Sequence, residues 1–306
     1  AKILKEKDNF LVATHIGYDP DALSSLIAIG LILKELNKNF ALYLDEELKE
    51  EYFWLPLKEK IIKDIINDYE NLIIVDCDSY HRVSEKIQNF AQNKFKIFID
   101  HHQSNKLDGD FNLVLNAVST TEILFHLAEE LKIQSSELAN MILLGLMGDS
   151  LNLTIEFSQE KLIKVLEIII KLIKSGADLN LVNQTLLFKP FTELKKLAEI
   201  FTRVNEEDDI FWVIVEAKEI QSGVLANNLN KIREAKIIIV IEDFKNYLKV
   251  HFRSKGDINV AELAQKYFNG GGHKNASGGR LNMKLGEGIK YTLEKTKEFL
   301  NAYKKF

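Results

Sequence analysis

The chain is 306 residues long, with 46% hydrophobic and 28% charged residues, enough apolar material for two folded domains and too much for a disordered chain. Its net charge of −5 argues against a long nucleic-acid duplex as partner, because affinity for a phosphate backbone rests on clustered Lys and Arg. The single cysteine, Cys77, excludes an intramolecular disulfide framework and points to a reducing cytosol, so a cytoplasmic location is expected.

The first third of the chain holds three β-rich runs, residues 10–13, 72–75 and 95–99, separated by stretches of helical period. This is the pattern of βαβ units, and it predicts an α/β domain with a mostly parallel sheet and flanking helices. Each run is followed at once by polar residues: Thr14-His15, then Asp76-Cys77-Asp78, then Asp100-His101-His102. In an open parallel sheet the crevice beyond the carboxyl ends of the strands binds ligands, so three segments converge on one place. After the first run, Asp19 suits an N-cap and Pro20 a first helical position, ahead of a helix predicted over 23–36.

From residue 118 to 174 the sequence reads as helices, including an apolar stretch at 141–149 that ends on Asp149. The run 162–173 is the most apolar of all. Lys161, Lys164, Glu167, Lys171 and Lys174 nevertheless punctuate it at helical intervals, as on an amphipathic helix, and no membrane span is expected. Pro190 and the acidic turn at 205–209 lead into a second, smaller α/β domain. It is predicted to carry strands at 210–215, 237–241 and 247–253, then Gly270-Gly271-Gly272-His273 and a terminal helix. The expected division is 1–185 for the first domain, 186–208 for a connecting segment and 209–306 for the second domain.

An isolated D-x-D at a helix start needs no explanation beyond capping and the helix dipole. Here His15 precedes Asp19 and Asp21, and imidazole with carboxylates, without thiolate, suits a Mn²⁺-type cation. Asp100-His101-His102 is the strongest signal, since three adjacent polar groups at the end of an apolar strand are costly to bury unless paired or metal-bound. Asp76 and Asp149 offer further carboxylates. Together His15, Asp19, Asp21, Asp76, His101 and Asp149 supply what two adjacent cations sharing one bridging carboxylate need, and such sites attack phosphorus with an activated hydroxide. Phosphoester hydrolysis is the expected reaction. Cys77 is expected to be packed and inert, and His81, His126 and His251 to be surface or core residues. The acidic runs at 45–47 and 206–209 read as solvated surface.

These motifs resemble the DHH phosphoesterases, in the subgroup with a DHH-associated C-terminal domain, over nearly the whole chain. The family's H-x-x-P-D-x-D-A stands here as His15 to Ala22, with Tyr18 in place of the usual proline and Pro20 in place of a usual glycine. An aspartate with a downstream arginine is matched by Asp76 and Arg82, the family's namesake motif by Asp100-His101-His102, and a fourth motif by Asp149. The resemblance implies one cation on His15, Asp19 and Asp76 and another on Asp21, Asp76, His101 and Asp149, with Asp76 bridging. It implies that His102 faces the phosphate and that Asp100 orients a ligating imidazole, with Asp78 as a supporting partner.

In the second domain, Arg253-Ser254 and Gly270-Gly271-Gly272-His273 match the family's substrate-binding domain, with Asn269 where a further glycine is often found, and Arg253, Ser254, Gly271, Gly272 and His273 are the expected substrate contacts. Glycines let the backbone approach an anion, and successive N–H groups can cradle it. The cleft between the domains is the expected active site. The domain order is most similar to the NrnA-type nanoRNases. This implies two Mn²⁺ ions, with Mg²⁺ or Co²⁺ as substitutes, and short RNA oligonucleotides or 3′-phosphoadenosine 5′-phosphate as substrates. A homodimer is compatible with the resemblance, and neither a membrane nor a long duplex is an expected partner. Cyclic di-AMP or its linear product, and polyphosphate, stay open as alternative substrates, as does a non-catalytic nucleotide-binding regulator.

Overall fold

Strand β1 (Phe10–Ala13) is buried on both faces, as its unbroken apolar run requires of a central strand in a parallel sheet. The computed structural model describes residues 1–102, 109–155 and 157–303, and these divide into two compact units, Ala1–Phe188 and Lys189–Phe306.

In the first unit β1 is joined by β2 (Phe40–Tyr43), β3 (Ile61–Ile62), β4 (Asn71–Val75), β5 (Phe95–Asp100) and β6 (Phe111–Val114). They form a six-stranded sheet in the order β3-β2-β1-β4-β5-β6, parallel at every pairing. The parallel sheet expected from the sequence is present, and it is wider than the three legible runs. The chain winds outward in one direction from β1 and in the other from β4, so the carboxyl ends of β1 and β4 flank the switch point where a crevice must open.

Alternation sorts the strand residues. Phe10, Val12, Ile73, Val75, Ile97 and Ile99 share a core with α1 (Lys2–Glu6), α2 (Pro20–Glu35), α4 (Thr120–Leu131), α5 (Ser136–Asp149), α6 (Gln159–Lys174) and α7 (Leu179–Leu187). Leu11, Ala13, Leu72, Ile74 and Phe98 face Val83, Ile87 and Ala91 around α3 (Glu85–Phe90). Helix α2 starts as its sequence dictates: Asp19 is the N-cap, accepting from the Ala22 amide at 3.0 Å, and Pro20 opens the first turn. Helix α5 packs against α2 through two glycines. A Cβ on Gly148 would lie 2.7 Å from Pro20 Cβ, and one on Gly145 would lie 2.4 Å from Asp21 Oδ1. Only bare backbone lets the two helices approach this closely, and that approach carries Asp149 to the crevice.

The second unit begins with α8 (Phe191–Phe201), within the stretch expected as a connector. Its Leu197 and Ile200 pack against Phe211, Val213 and Val240, so the apolar face of the helix belongs to the second core. The sheet comprises β7 (Asn205–Glu207), β8 (Ile210–Glu216), β9 (Ile237–Asp243), β10 (Leu248–Ser254), β11 (Gly271–His273) and β12 (Ala276–Leu281), in the order β11-β12-β10-β9-β8-β7. The β8/β9 pairing is parallel and the others are antiparallel. Helices α10 (Val260–Tyr267) and α11 (Leu285–Tyr303) cover one face, and α8 with α9 (Ser222–Leu229) cover part of the other. Among the described residues, no helix is long and apolar enough to cross a membrane.

Candidate active site

Asp76 follows β4 directly, and its backbone turns into the left-handed region with φ 52°. Aspartate tolerates this conformation better than most residues, and a strained turn of this kind costs about 1–3 kcal/mol. The turn swings the carboxylate out of the strand direction into the crevice, while the Asp76 amide still donates to the Ile99 carbonyl at 3.0 Å.

Around Asp76 the donor atoms gather in three groups, each within 4.8 Å: His15 with Asp19 and Asp76, Asp21 with Asp76 and His101, and Asp100 with Asp76 and His102. Asp76 is common to all three. His15 Nε2 lies 3.8 Å from Asp76 Oδ2 and 3.9 Å from Asp19 Oδ2. His101 Nε2 lies 3.6 Å from Asp76 Oδ1 and 3.2 Å from Asp149 Oδ2. The sequence-predicted set of six is therefore assembled from β1, β4, β5, α2 and α5.

The imidazoles are oriented through their other nitrogens. His15 Nδ1 is 3.0 Å from the Ile16 carbonyl and His101 Nδ1 is 3.4 Å from the Ala117 carbonyl. A carbonyl only accepts, so each Nδ1 carries a proton and each Nε2 faces the carboxylates, the orientation a metal ligand needs once Nε2 gives up its own proton. Asp100 departs from its expected role as brace of a ligating imidazole. Its Oδ1 accepts from the His101 amide at 2.9 Å and holds His102 Nδ1 at 2.7 Å, so the ring it braces is His102. Asp78 likewise turns away from the histidines, accepting from Arg82 Nη1 at 3.2 Å.

Burial, followed by repulsion from Asp21, Asp19 and Asp149, holds the Asp76 carboxyl well above its usual range. Burial likewise raises Asp21, and burial with Asp21 nearby pushes Asp149 up to about 7. For His101, burial opposes the charge, but Asp149, Asp21 and Asp100 outweigh it and raise the ring to about 9. His15 is lowered, chiefly by burial. Four carboxylates with two imidazoles, no thiolate among them, fit hard to borderline divalent cations, whose charge would relieve this crowding. Cys77 takes no part. It is buried, donates to the Ser79 carbonyl at 3.1 Å, and burial pushes its thiol up to about 11.

Sequence reasoning missed the supports. Thr120 and Thr121, at the start of α4, donate to Asp21 and Asp76. The Ser119-to-Glu122 spacing marks a helix start, with Ser119 Oγ accepting from the Glu122 amide at 3.1 Å, but nothing local announces a carboxylate above that start. Glu46, expected to be solvated, accepts from the Gly17 amide and holds the His15–Asp19 loop. Tyr18, which replaces a proline of the family motif, is buried. Its hydroxyl donates to the Glu47 carbonyl at 3.0 Å and accepts from the Lys49 amide at 3.2 Å.

In the second unit, Arg253 on β10 and His273 on β11 both lie opposite Ala276 of β12. Directly paired residues share a face, so the two basic side chains flank Ala276 on one face, about 10 Å apart. Two residues along the same face the paired Gly271 and Gly278 carry no side chains, and a Cβ on Gly271 would meet nothing within 4 Å. Gly272 is required by its backbone, with φ 137° and the Ala276 carbonyl oxygen 2.6 Å from a hypothetical Cβ. Arg253 is fixed by Asn227 Oδ1 at 2.6 Å and the Phe252 carbonyl at 2.9 Å. Ser254 departs from the expected substrate-binding role. It is 2% exposed, donates to the Ile258 carbonyl at 2.6 Å and accepts from Asn275 at 3.1 Å, so its hydroxyl is spent on a turn.

The model of the DHH family N-terminal domain matches residues 9–146, and that of the DHHA1 domain matches residues 209–306. The chain belongs to the DHH phosphoesterases. This DHH protein is 23% identical over 288 residues to the probable bifunctional oligoribonuclease and PAP phosphatase NrnA of Streptococcus mutans, covering 90% of each chain. It is 26% identical over 300 residues to the bifunctional oligoribonuclease and PAP phosphatase NrnA of Mycoplasma genitalium, covering 90% of this chain and 89% of that one. An exopolyphosphatase-related protein from Bacteroides fragilis shares the fold with a TM-score of 0.85 at 21% identity, covering 99% of this DHH chain and 96% of the other.

Proposed function

We propose that this DHH protein is a Mn²⁺-dependent phosphodiesterase and phosphatase that hydrolyses short oligoribonucleotides and 3′-phosphoadenosine 5′-phosphate in the cytoplasm. The observation that carries the reading is Asp76, whose carboxylate lies between a His15/Asp19 set and an Asp21/His101/Asp149 set. The named activities of the Streptococcus and Mycoplasma relatives support the substrate class. In this reading His15, Asp19 and Asp76 would hold one cation and Asp21, Asp76, His101 and Asp149 the other, with Asp76 common to both sets.

Bound divalent cations supply Lewis acidity, neutralising phosphate charge and sharpening water as a nucleophile. The chain's own residues do the rest. His102, its Nδ1 held against Asp100, is the side chain that faces the substrate. As an imidazolium it donates to a phosphate oxygen or to the leaving oxygen, and the Asp100 carboxylate stabilises that charge. Arg253 and His273 hold a terminal phosphate or the distal nucleotide, and Gly271 and Gly272 let the backbone approach it. Such remote contacts orient the scissile group.

The test is a ladder of labelled oligoribonucleotides from two to about 20 residues, a range over which long-strand binders gain contacts. It is run beside 3′-phosphoadenosine 5′-phosphate, cyclic di-AMP, its linear product and polyphosphate, with chelated and Mn²⁺-loaded protein. The expected result is turnover only with metal, falling with length. Equal rates on the shortest and longest RNA, or turnover of polyphosphate alone, overturn the substrate assignment.

A further inference from the structure

The start of α4 grips two of the site's carboxylates. Asp21 Oδ1 accepts from the Thr121 amide at 3.1 Å and the Thr121 hydroxyl at 2.9 Å, and Asp21 Oδ2 accepts from the Thr120 amide at 2.7 Å. The Thr120 hydroxyl donates to Asp76 Oδ1 at 2.8 Å. Asp21, Ser119, Thr120 and Thr121 are fully buried.

The hydrogens run one way. Thr121 gives its proton to a carboxylate, so the Ser119 hydroxyl, 2.8 Å away, must donate to Thr121 Oγ1. Ser119 Oγ in turn accepts from the Glu122 amide. The result is a polarised relay from the helix backbone through Ser119 and Thr121 to Asp21, in which each bond strengthens the next. From the opposite side Gly145 closes on the same oxygen, leaving no room for a Cβ. Asp21 therefore has one orientation.

Asp19 is held far less. It accepts from the Ala22 amide at 3.0 Å, and its side chain is 46% exposed. A ligand already fixed in its binding orientation loses less freedom when a cation arrives, which favours affinity and narrows the accepted geometry.

We infer that Thr121, supported by Ser119, is a positioning residue that makes the two cation positions unequal. The position using Asp21, His101 and Asp149 is the rigid, tighter one, and that using His15 and Asp19 is the adaptable, weaker one. This rests on the two-cation reading of the same site, and its test reads metal binding directly. Mn²⁺ is titrated into the metal-free full chain by calorimetry, with electron paramagnetic resonance distinguishing isolated from spin-coupled ions.

The wild type is expected to take two ions of unequal affinity. Thr121→Val keeps the side-chain shape without the hydroxyl, and it should weaken the tighter ion about 10- to 100-fold, the usual effect of removing a partner behind a ligand. The weaker ion should shift by less than about 3-fold, as expected for a site outside the altered network. Thr121→Ser should restore the wild-type value. Ser119→Ala should move the tighter ion in the same direction by less, and it serves if the valine variant does not fold. Two unequal ions in the wild type, with both affinities unmoved or lowered equally by Thr121→Val and Ser119→Ala, overturn the inference alone. One ion or none in the wild type overturns the two-cation reading, and this inference with it.

Discussion

The two units handle polar chemistry in opposite ways. In the first, Asp21, Asp76, Asp100 and His101 are buried and braced by amides, hydroxyls and one another. In the second, His273 is exposed, Gly271 faces open space, and the basic pair is spaced only by strand register. A crowd of buried carboxylates is costly on its own and specifies what must neutralise it. A basic sheet face without bulky neighbours, as proposed for the second unit, suits an anionic group of varied shape. The first arrangement suits the proposed reaction centre, and the second the proposed grip on a variable occupant.

The sharpest way to break this contrast is Asp76→Ala. It removes the carboxylate shared by all three donor groups and should lower kcat/KM by at least about 10³-fold on every substrate, beyond the loss of one preorganised donor. Mn²⁺ content, measured alongside, should fall. A variant that keeps turnover would dissolve the distinction between centre and grip. Arg253→Ala and His273→Ala should each reduce kcat/KM on a dinucleotide by roughly 10²-fold, with Mn²⁺ content unchanged. Hydrolysis of bis-p-nitrophenyl phosphate, which lacks a distal nucleotide, should barely move. Equal losses on both substrates would assign these residues to the reaction centre.

Glycines sharpen the comparison through stability. Gly145→Ala places a methyl 2.4 Å from Asp21 Oδ1 and 2.5 Å from Thr121, and should destabilise by about 1–3 kcal/mol as an overpacked core does. Gly271→Ala meets open space and should stay within about 0.5 kcal/mol. Chemical denaturation of both variants tests the pair.

A further effect is expected on pH dependence. Asp76, Asp21 and Asp149 have folded pKa values above their unfolded ones, Asp149 at about 7. As pH rises past about 4 the unfolded chain loses these protons first, so folding is progressively disfavoured. His101, raised to about 9, contributes stability present below about 6.5 and lost as pH climbs through its folded value. Metal-free protein should therefore melt at progressively lower temperature between pH 5 and 9, on the scale of a few degrees per kcal/mol. Mn²⁺ should flatten the curve, and a flat metal-free curve would contradict the crowding.

The sequence made the reaction centre visible because its donors sit immediately after apolar runs, where period and polarity change together. Asp19 and Pro20 announced their helix for the same local reason. What stayed hidden is nonlocal. Thr121 reaches Asp21 across 100 positions, and Arg253 meets His273 through a shared partner on a third strand, a register that no local pattern encodes. Strands β2, β3 and β6 were also missed, being short and flanked by segments without clear period. Ser254 misled because a family motif marks a position, while its hydroxyl answers to the turn around Ile258.

Tyr18 stands where a proline would fix one backbone dihedral for as long as the chain exists. Proline restricts the unfolded ensemble as well as the folded one. Tyr18 restricts only the folded one, through its two bonds to the 47–49 segment and its edge-on contact with Tyr52 at 6.1 Å. The order of the His15–Asp19 loop is thus conditional on the segment after β2 staying docked. Loosening residues 46–49 would free two donors of the reaction centre while the rest of the carboxylate cluster stayed in place, so hydrogen exchange in the two segments should rise and fall together.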